Sequence, residues 1–141
     1  MEHIKRDAGV IVKYKNQVLL CKRNDFGELP GVWSIPAGKL GINENPTSGA
    51  KREFLEETDI KITDDIELCG FINRTTRDGK KVKGLMYVFL WNVDEKKIPD
   101  LKNAKDGEEH TECGYFGLDN LPFEDKNDQL VKLVVNILKK S

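Results

Sequence analysis

The chain has 141 residues, 38% apolar and 33% charged, with 23 basic against 24 acidic side chains. That is the length of one domain with a real core, and a charge balance this even excludes bulk attraction to nucleic acid or to a membrane surface. Cys21, Cys69 and Cys113 lie far apart with no CxxC or Cys/His metal spacing, which argues against zinc and for free thiols in a reducing cytoplasm, and the N-terminal stretch lacks the long apolar run of a signal peptide or membrane span.

In chain order, residues 6–14 and 17–23 read as two strands joined by a short turn at Lys15-Asn16. Both are apolar on each face near their centres, so this hairpin is expected to be buried on both sides. A polar loop, 24–31, leads to a strand over 32–36 that stops at Pro36. Asn45 is a suitable N-cap and Pro46 a suitable first residue for a helix running to about Thr58. A strand follows over 66–74, with Gly70 as a candidate bulge. Asp78-Gly79 is a tight-turn signal and returns the chain through a nearly all-apolar strand ending at Val93. Residues 94–110 read as a charged surface loop and 115–118 as a last short strand. A second helix spans 127–140, its Leu130, Leu133, Val134, Ile137 and Leu138 forming a core stripe.

The chemistry concentrates in GKLGINENPTSGAKREFLEETDI, residues 38–60. At about 100° per residue, Glu53, Glu56 and Glu57 share an arc of about 100° on the first helix, with Arg52 beside it. Ala50 and Phe54 fall on the flank that leads to a core. Like charges one turn apart repel, so the arc asks for a cation, and oxygen-only ligands suit a hard ion such as Mg²⁺. Arg52 can grip a carboxylate with two parallel bonds. The same Lys-Arg-Glu-rich helix would serve equally as solvated surface if it stood alone. A phosphate-binding P-loop built on Gly31 and Gly38-Lys39 is excluded: six residues separate the glycines instead of four, and Leu40 replaces Ser or Thr. Gly38 reads as a tight turn close to a ligand.

Gly38, Glu44, Arg52, Glu53, Phe54, Glu56, Glu57 and Ile60 stand in the register of the signature of the Nudix hydrolase family, which this chain resembles. The departure is Asp59, where the family has Gly just past the helix end; Asp tolerates the left-handed conformation common there. Trp33-Ser34-Ile35-Pro36-Ala37-Gly38 resembles the family's lead-in, with Ala for its first Gly. The resemblance implies the Nudix fold, an α/β/α sandwich with a central mixed β-sheet and an acidic loop-helix-loop box at 38–60, in one domain over 1–141. It further implies a Mg²⁺-dependent pyrophosphohydrolase, with Mn²⁺ as a substitute, cleaving a nucleoside diphosphate linked to another group. Carried over residue by residue, Glu53, Glu56, Glu57 and the Ala37 carbonyl ligate metal, Arg52 orients a carboxylate, and Glu44 either only braces the loop or helix or also contributes to the metal site through water. The general base is a box Glu or a carboxylate of a distal loop, for which Glu109 and Glu112 are candidates, with solvated loop charge as their other reading. His110, beside Glu109, is a weaker candidate base.

Substrate markers are thin. Arg23, Lys39, Arg74 and Arg77 are candidate phosphate contacts or ordinary surface charges; Phe26, Trp33 and Tyr87 are candidate stacking partners for a base, the last two with a core role as the alternative. Asn127 either caps the last helix or reads a purine with its amide; the family's oxidised-nucleotide-sanitising members carry an Asn there. The favoured substrate is thus a nucleoside triphosphate, oxidised or not, giving the monophosphate and pyrophosphate. ADP-ribose, a dinucleoside polyphosphate or an RNA 5′ end is the alternative, and a non-catalytic nucleotide sensor the third reading. The implied partner is a small nucleotide; a homodimer fits the family's habit, with no decisive interface in the sequence.

Overall fold

The computed structural model describes residues 4–24, 31–75, 78–125 and 127–140. Phe26 and Arg77 lie outside the described residues. In order come β1 (Lys5–Tyr14), β2 (Gln17–Arg23), β3 (Trp33–Ser34), β4 (Ala37–Lys39), α1 (Pro46–Thr58), β5 (Glu67–Thr75), β6 (Val82–Val93), a 3-10 turn (Gly107–Glu109), β7 (His110–Phe116) and α2 (Gln129–Lys139). The strands run β3-β2-β1-β6-β5, with β4 paired to β1 and β7 to β2 off that path. β1 and β6 are parallel, from Lys5↔Gly84 to Tyr14↔Val93, and the other pairs are antiparallel. This is the expected mixed sheet with a helix on each side.

The continuous apolar run of β1 is needed because both faces are covered. Ala8, Val10 and Val12 pack with Leu19, Phe89 and Trp91 against Ala50 and Phe54 of α1. Ile11, on the opposite face, packs with Val18, Leu20, Met86 and Val88 against Leu130, Val134 and Leu138 of α2. Phe54 meets Trp91 edge to face, ring centres 5.9 Å apart, an arrangement the ring quadrupoles favour.

Several expectations need correction. The strand foreseen over 32–36 is only Trp33–Ser34, and a second strand, β4, follows it at Ala37–Lys39. Ser34 pairs with Cys21 of β2 while Ala37 pairs with Gly9 of β1, so Ile35-Pro36 is where the chain changes partner. The last strand starts at His110 rather than Tyr115, because β2 pairs with it from Arg23 to Val18. The segment 94–110 is not a simple surface loop. The last carbonyls of a helix lack partners within it, and here Asp106 N–H donates to Glu56 O (2.6 Å) and Asp100 N–H to Thr58 O (2.9 Å). The segment therefore closes the end of α1, with Ala104 and Gly107 buried. The cap of α2 is Asp128, whose side chain accepts from Leu130 N–H, and not Asn127. Cys21 and Cys113 sit opposite each other in the β2–β7 ladder, Cα atoms 4.0 Å apart, and form a disulfide. Only Cys69 keeps the free thiol expected of all three. Sequence separation hid the pair, which antiparallel pairing brings together.

Other details of the sequence reading hold. α1 has its predicted bounds, and Asn45 accepts from Thr47 and Ser48 N–H as its cap. Asp59 takes the left-handed conformation (φ 62°) and donates its N–H to Leu55 O, doing the work of the family's Gly. A register shift between Leu68 and Gly70 marks the bulge on β5, and Gly79 has the positive φ of 73° that its turn signal implied.

Candidate active site: the acidic helix and the cavity beside it

The box is held by one guanidinium. Arg52 donates from Nε to Glu44 Oε2 (2.7 Å) and from Nη2 to Glu44 Oε1 (2.8 Å), a two-pronged grip on one carboxylate. Its Nη1 reaches Glu53 Oε1 at 2.9 Å and Glu56 Oε2 at 3.0 Å, and its Nη2 also reaches the Lys39 carbonyl. Glu44 Oε1 accepts Gly41 N–H as well, closing the turn before the helix. Arg52, first, and then Gly41 N–H hold the Glu44 carboxyl down at about 2. The same partnership pushes the guanidinium still higher than usual. Arg6 of β1, which the sequence reading did not single out, fastens the loop from the other side by donating to the carbonyls of Gly41 and Ile42, each at 3.1 Å.

Gly38 has a different role from the tight turn foreseen. It lies in β4, and its φ is not positive. A Cβ there would overlap the Glu53 carboxylate, so the missing side chain is the space Glu53 occupies. The β4 strand thus lies directly over the acidic face of α1. Burial pushes the Glu53 carboxyl up, and Arg52 opposes this.

Glu57 is the deepest member, 1% exposed. His110 Nε2 stands 2.7 Å from its Oε1, and its Oε2 is buried with no hydrogen-bond partner among the described residues. Burial, then the charges of Glu109 and Glu53, pushes this carboxyl up to about 9, against which the Ala37 backbone N–H and the Arg23 charge act only in part. Burial likewise lowers His110, aided by Arg23, while Glu109 opposes. Glu109 itself is raised by partial desolvation and by Asp106. Glu53, Glu57 and Glu109 therefore form one electrostatic cluster, assembled from α1 and the 3-10 turn. Among the described residues no three acidic, His or Cys side chains yet converge closely enough to enclose an ion. Glu53 and Glu56 are turned to Arg52, and Glu57 to His110.

Beyond Arg23, whose charge is felt at Glu57, Glu109 and His110, a cavity of about 520 Å³ opens between β3, β5 and the start of α2. Arg23, Trp33, Arg74, Phe123 and Asp128 are among its walls. Its size is that of a small-molecule site. Gln129 fixes one side by bonding both backbone groups of Asn73, accepting its N–H at 3.0 Å and donating to its carbonyl at 2.9 Å.

The other candidates are placed less centrally. Lys39 ends β4, exposed. Glu112 is exposed on β7 opposite Lys22. Asn127 is exposed beside Asp125 and is not among the cavity walls. Tyr87 packs edge to face with Phe71 against the α1-side core. The roles of Arg6 and Gln129 left no sequence signal, because each depends on a partner far away in the chain.

A MutT-like protein of Streptomyces ambofaciens is 40% identical over 70 residues, half of this chain and 42% of that protein. An 8-oxo-dGTP diphosphatase of Proteus vulgaris is 39% identical over 56 residues, 40% of this chain and 50% of that protein. The matched segments thus span half or less of these curated relatives. The crystal structure of a MutT NUDIX hydrolase from Burkholderia pseudomallei superposes with a TM-score of 0.76 at 21% identity, covering 96% of this chain and 98% of that one, so the fold is shared. The NUDIX domain of Shewanella oneidensis NrtR, solved with ADP ribose, superposes at 0.70 with 15% identity, covering 98% and 90% of the two chains. The NUDIX domain family matches residues 3–134, and with the box, the sheet and the buried acidic helix all in place, this chain belongs to that family.

Proposed function

We propose that the chain is a divalent-metal-dependent pyrophosphohydrolase. Its favoured substrate is an oxidised nucleoside triphosphate, cleaved by water attack on phosphorus to the monophosphate and pyrophosphate. The observation that carries this reading is Glu57 Oε2, an acidic oxygen buried without a partner among the described residues and under the charges of Glu109 and Glu53. Leaving such an atom unpaired is costly, and a hard cation is the partner that both completes it and offsets the clustered charge. The donor set fits: Glu57, then Glu53 and Glu56 on turning away from Arg52 Nη1, with the Ala37 carbonyl on the adjoining strand. Mg²⁺ suits these oxygens, with Mn²⁺ as a substitute. When bound, such an ion supplies charge neutralisation of the diphosphate and activation of water.

The remaining roles belong to the side chains. Arg52 keeps Glu53 and Glu56 in place until ligand arrives and stays anchored through Glu44. Arg23, between the cluster and the cavity, is placed to hold a phosphate, and Arg74 lines the same cavity. The base and sugar occupy the cavity, with Trp33 as an aromatic wall. Glu109 is the better candidate than Glu112 to take the proton of the attacking water. It belongs to the cluster, and its raised pKa brings it nearer the working range of a general base. The oxidised base is favoured by the Proteus vulgaris relative, an 8-oxo-dGTP diphosphatase. The cytoplasm, where nucleoside triphosphates are held, is the proposed compartment. The disulfide between Cys21 and Cys113 removes the thiol argument for it. Among the described residues no helix is long and apolar enough to cross a membrane.

The test is product formation with Mg²⁺ from dGTP, 8-oxo-dGTP, ADP-ribose and a dinucleoside polyphosphate, in wild type and Glu57→Gln. Monophosphate and pyrophosphate from 8-oxo-dGTP, lost in the variant, is the expected result. Preferential turnover of ADP-ribose or the dinucleotide would move the assignment to those substrates. Nucleotide binding without turnover of any of the four would replace the enzyme with a sensor.

A further inference from the structure

His110 stands next to the candidate base, yet its geometry is not that of a base. The side chain is 2% exposed, its Nε2 is engaged by Glu57 Oε1 at 2.7 Å, and its Nδ1 is buried with no hydrogen-bond partner among the described residues. Neither nitrogen is open to a water on a bound substrate. The ring is fixed from two sides. Arg23 of β2 pairs with His110 at the start of β7, and Asn24 N–H donates to Glu109 O at 2.9 Å. On the other side Asp106 N–H is bonded to Glu56 O at the end of α1. The imidazole is therefore strung between the sheet and the box helix, and its Nε2 meets Glu57 Oε1.

We propose that His110 is a positioning residue for Glu57: by holding Oε1 through Nε2 it fixes the rotamer that leaves Oε2 facing the cation site. A glutamate has three side-chain torsions and loses that freedom only if something holds it. A single hydrogen bond from a rigid strand does so, as partners behind metal-binding carboxylates do elsewhere. The inference rests on the metal reading above and deepens it, since it explains why a histidine sits buried against the innermost box acid.

The experiment compares His110→Gln, His110→Asn and His110→Ala. The readouts are Mn²⁺ affinity by electron paramagnetic resonance on substrate-free protein, then kcat and the Mg²⁺ concentration for half-maximal activity. Glutamine can place an amide N–H near the position of Nε2; asparagine is too short and alanine has no donor. The expected result is Mn²⁺ binding weakened about 10- to 100-fold in His110→Ala and His110→Asn, with His110→Gln within about threefold of wild type. If His110→Ala does not fold, the Gln and Asn variants alone decide, because they differ only in reach. Equal Mn²⁺ affinity in wild type, Gln and Asn variants would overturn the positioning role. So would a His110→Gln variant that binds Mn²⁺ normally but loses kcat, which would make the imidazole a proton carrier. Wild type that binds no Mn²⁺ at all would overturn the metal reading itself, and this inference with it.

Discussion

The two helices flank one sheet and are built on opposite principles. α2 is held by an apolar stripe, with Leu130, Val131, Val134 and Leu138 buried, Asp128 capping its start and Lys139 in its last turn, where a cation suits the helix dipole. α1 sends only Ala50 and Phe54 into the core as apolar anchors and buries Glu57 beside them. Its first turn has no acid and its last turn no base, while Glu56 and Glu57 lie near the end where the dipole disfavours negative charge. What holds α1 is polar: the Asn45 cap, the Arg52 hub, and the Asp100 and Asp106 N–H groups at its end. Stability and chemistry are thus divided between the two faces of the sheet.

That division can be broken deliberately, and the largest effect is expected at Glu57. Glu57→Gln should lower kcat by about 1,000-fold yet stabilise the metal-free protein. Burial raises this carboxyl from 4.5 to about 9, so the native state keeps a proton that the unfolded chain releases between those values. The stability tied to the neutral form is full below about pH 4.5 and is lost as the pH climbs towards 9. Glutamine does not ionise; the variant should therefore gain on the order of 2 kcal/mol at pH 8 and nothing at pH 4, as urea titrations at both pH values would show. An unchanged difference between the two pH values would mean that Glu57 is ionised in the native protein.

Leu138→Ala should do the reverse, costing about 3 kcal/mol in chemical denaturation while activity per folded molecule stays at the wild-type level. A matching fall in specific activity would show that the α2 face is not merely structural. Arg52→Lys keeps the charge but loses the fork that grips Glu44 and reaches Glu53 and Glu56. About a tenfold drop in kcat/KM is expected, with little movement in Tm; a larger shift in Tm than in activity would put Arg52 on the stability side. The smallest effect is Asn45→Ala, about 1 kcal/mol from the lost cap, read by thermal unfolding with kcat unchanged.

How far the sequence could be read followed the range of the forces involved. α1 was legible to the residue, because a cap, a proline and a 3.6-residue period act within a few positions of one another. The stripe of α2 was legible too, but its cap was placed one residue early: Asn127 and Asp128 are both good caps, and the backbone at Asp128 settles which is used. The turn chemistry at Asp78-Gly79 and Asp59 was local and readable. The break at Ile35-Pro36 between β3 and β4 was not, since it depends on two different strands waiting as partners. The Cys21–Cys113 pair was missed for the same reason, its members being 92 residues apart.

The acids of the box, their shared face and the identity of the family were determined by residues 38–60 alone, because helical periodicity orders side chains on one element without outside help. Only the tertiary structure decided which of those acids is buried, that Gly38 is absent bulk above Glu53 rather than a turn, that Glu109 rather than Glu112 joins the cluster, and that His110 holds Glu57. Burial and long-range contact belong to no single stretch of chain. They arise where β4, α1 and the start of β7 meet, and there the environment of each carboxylate is set.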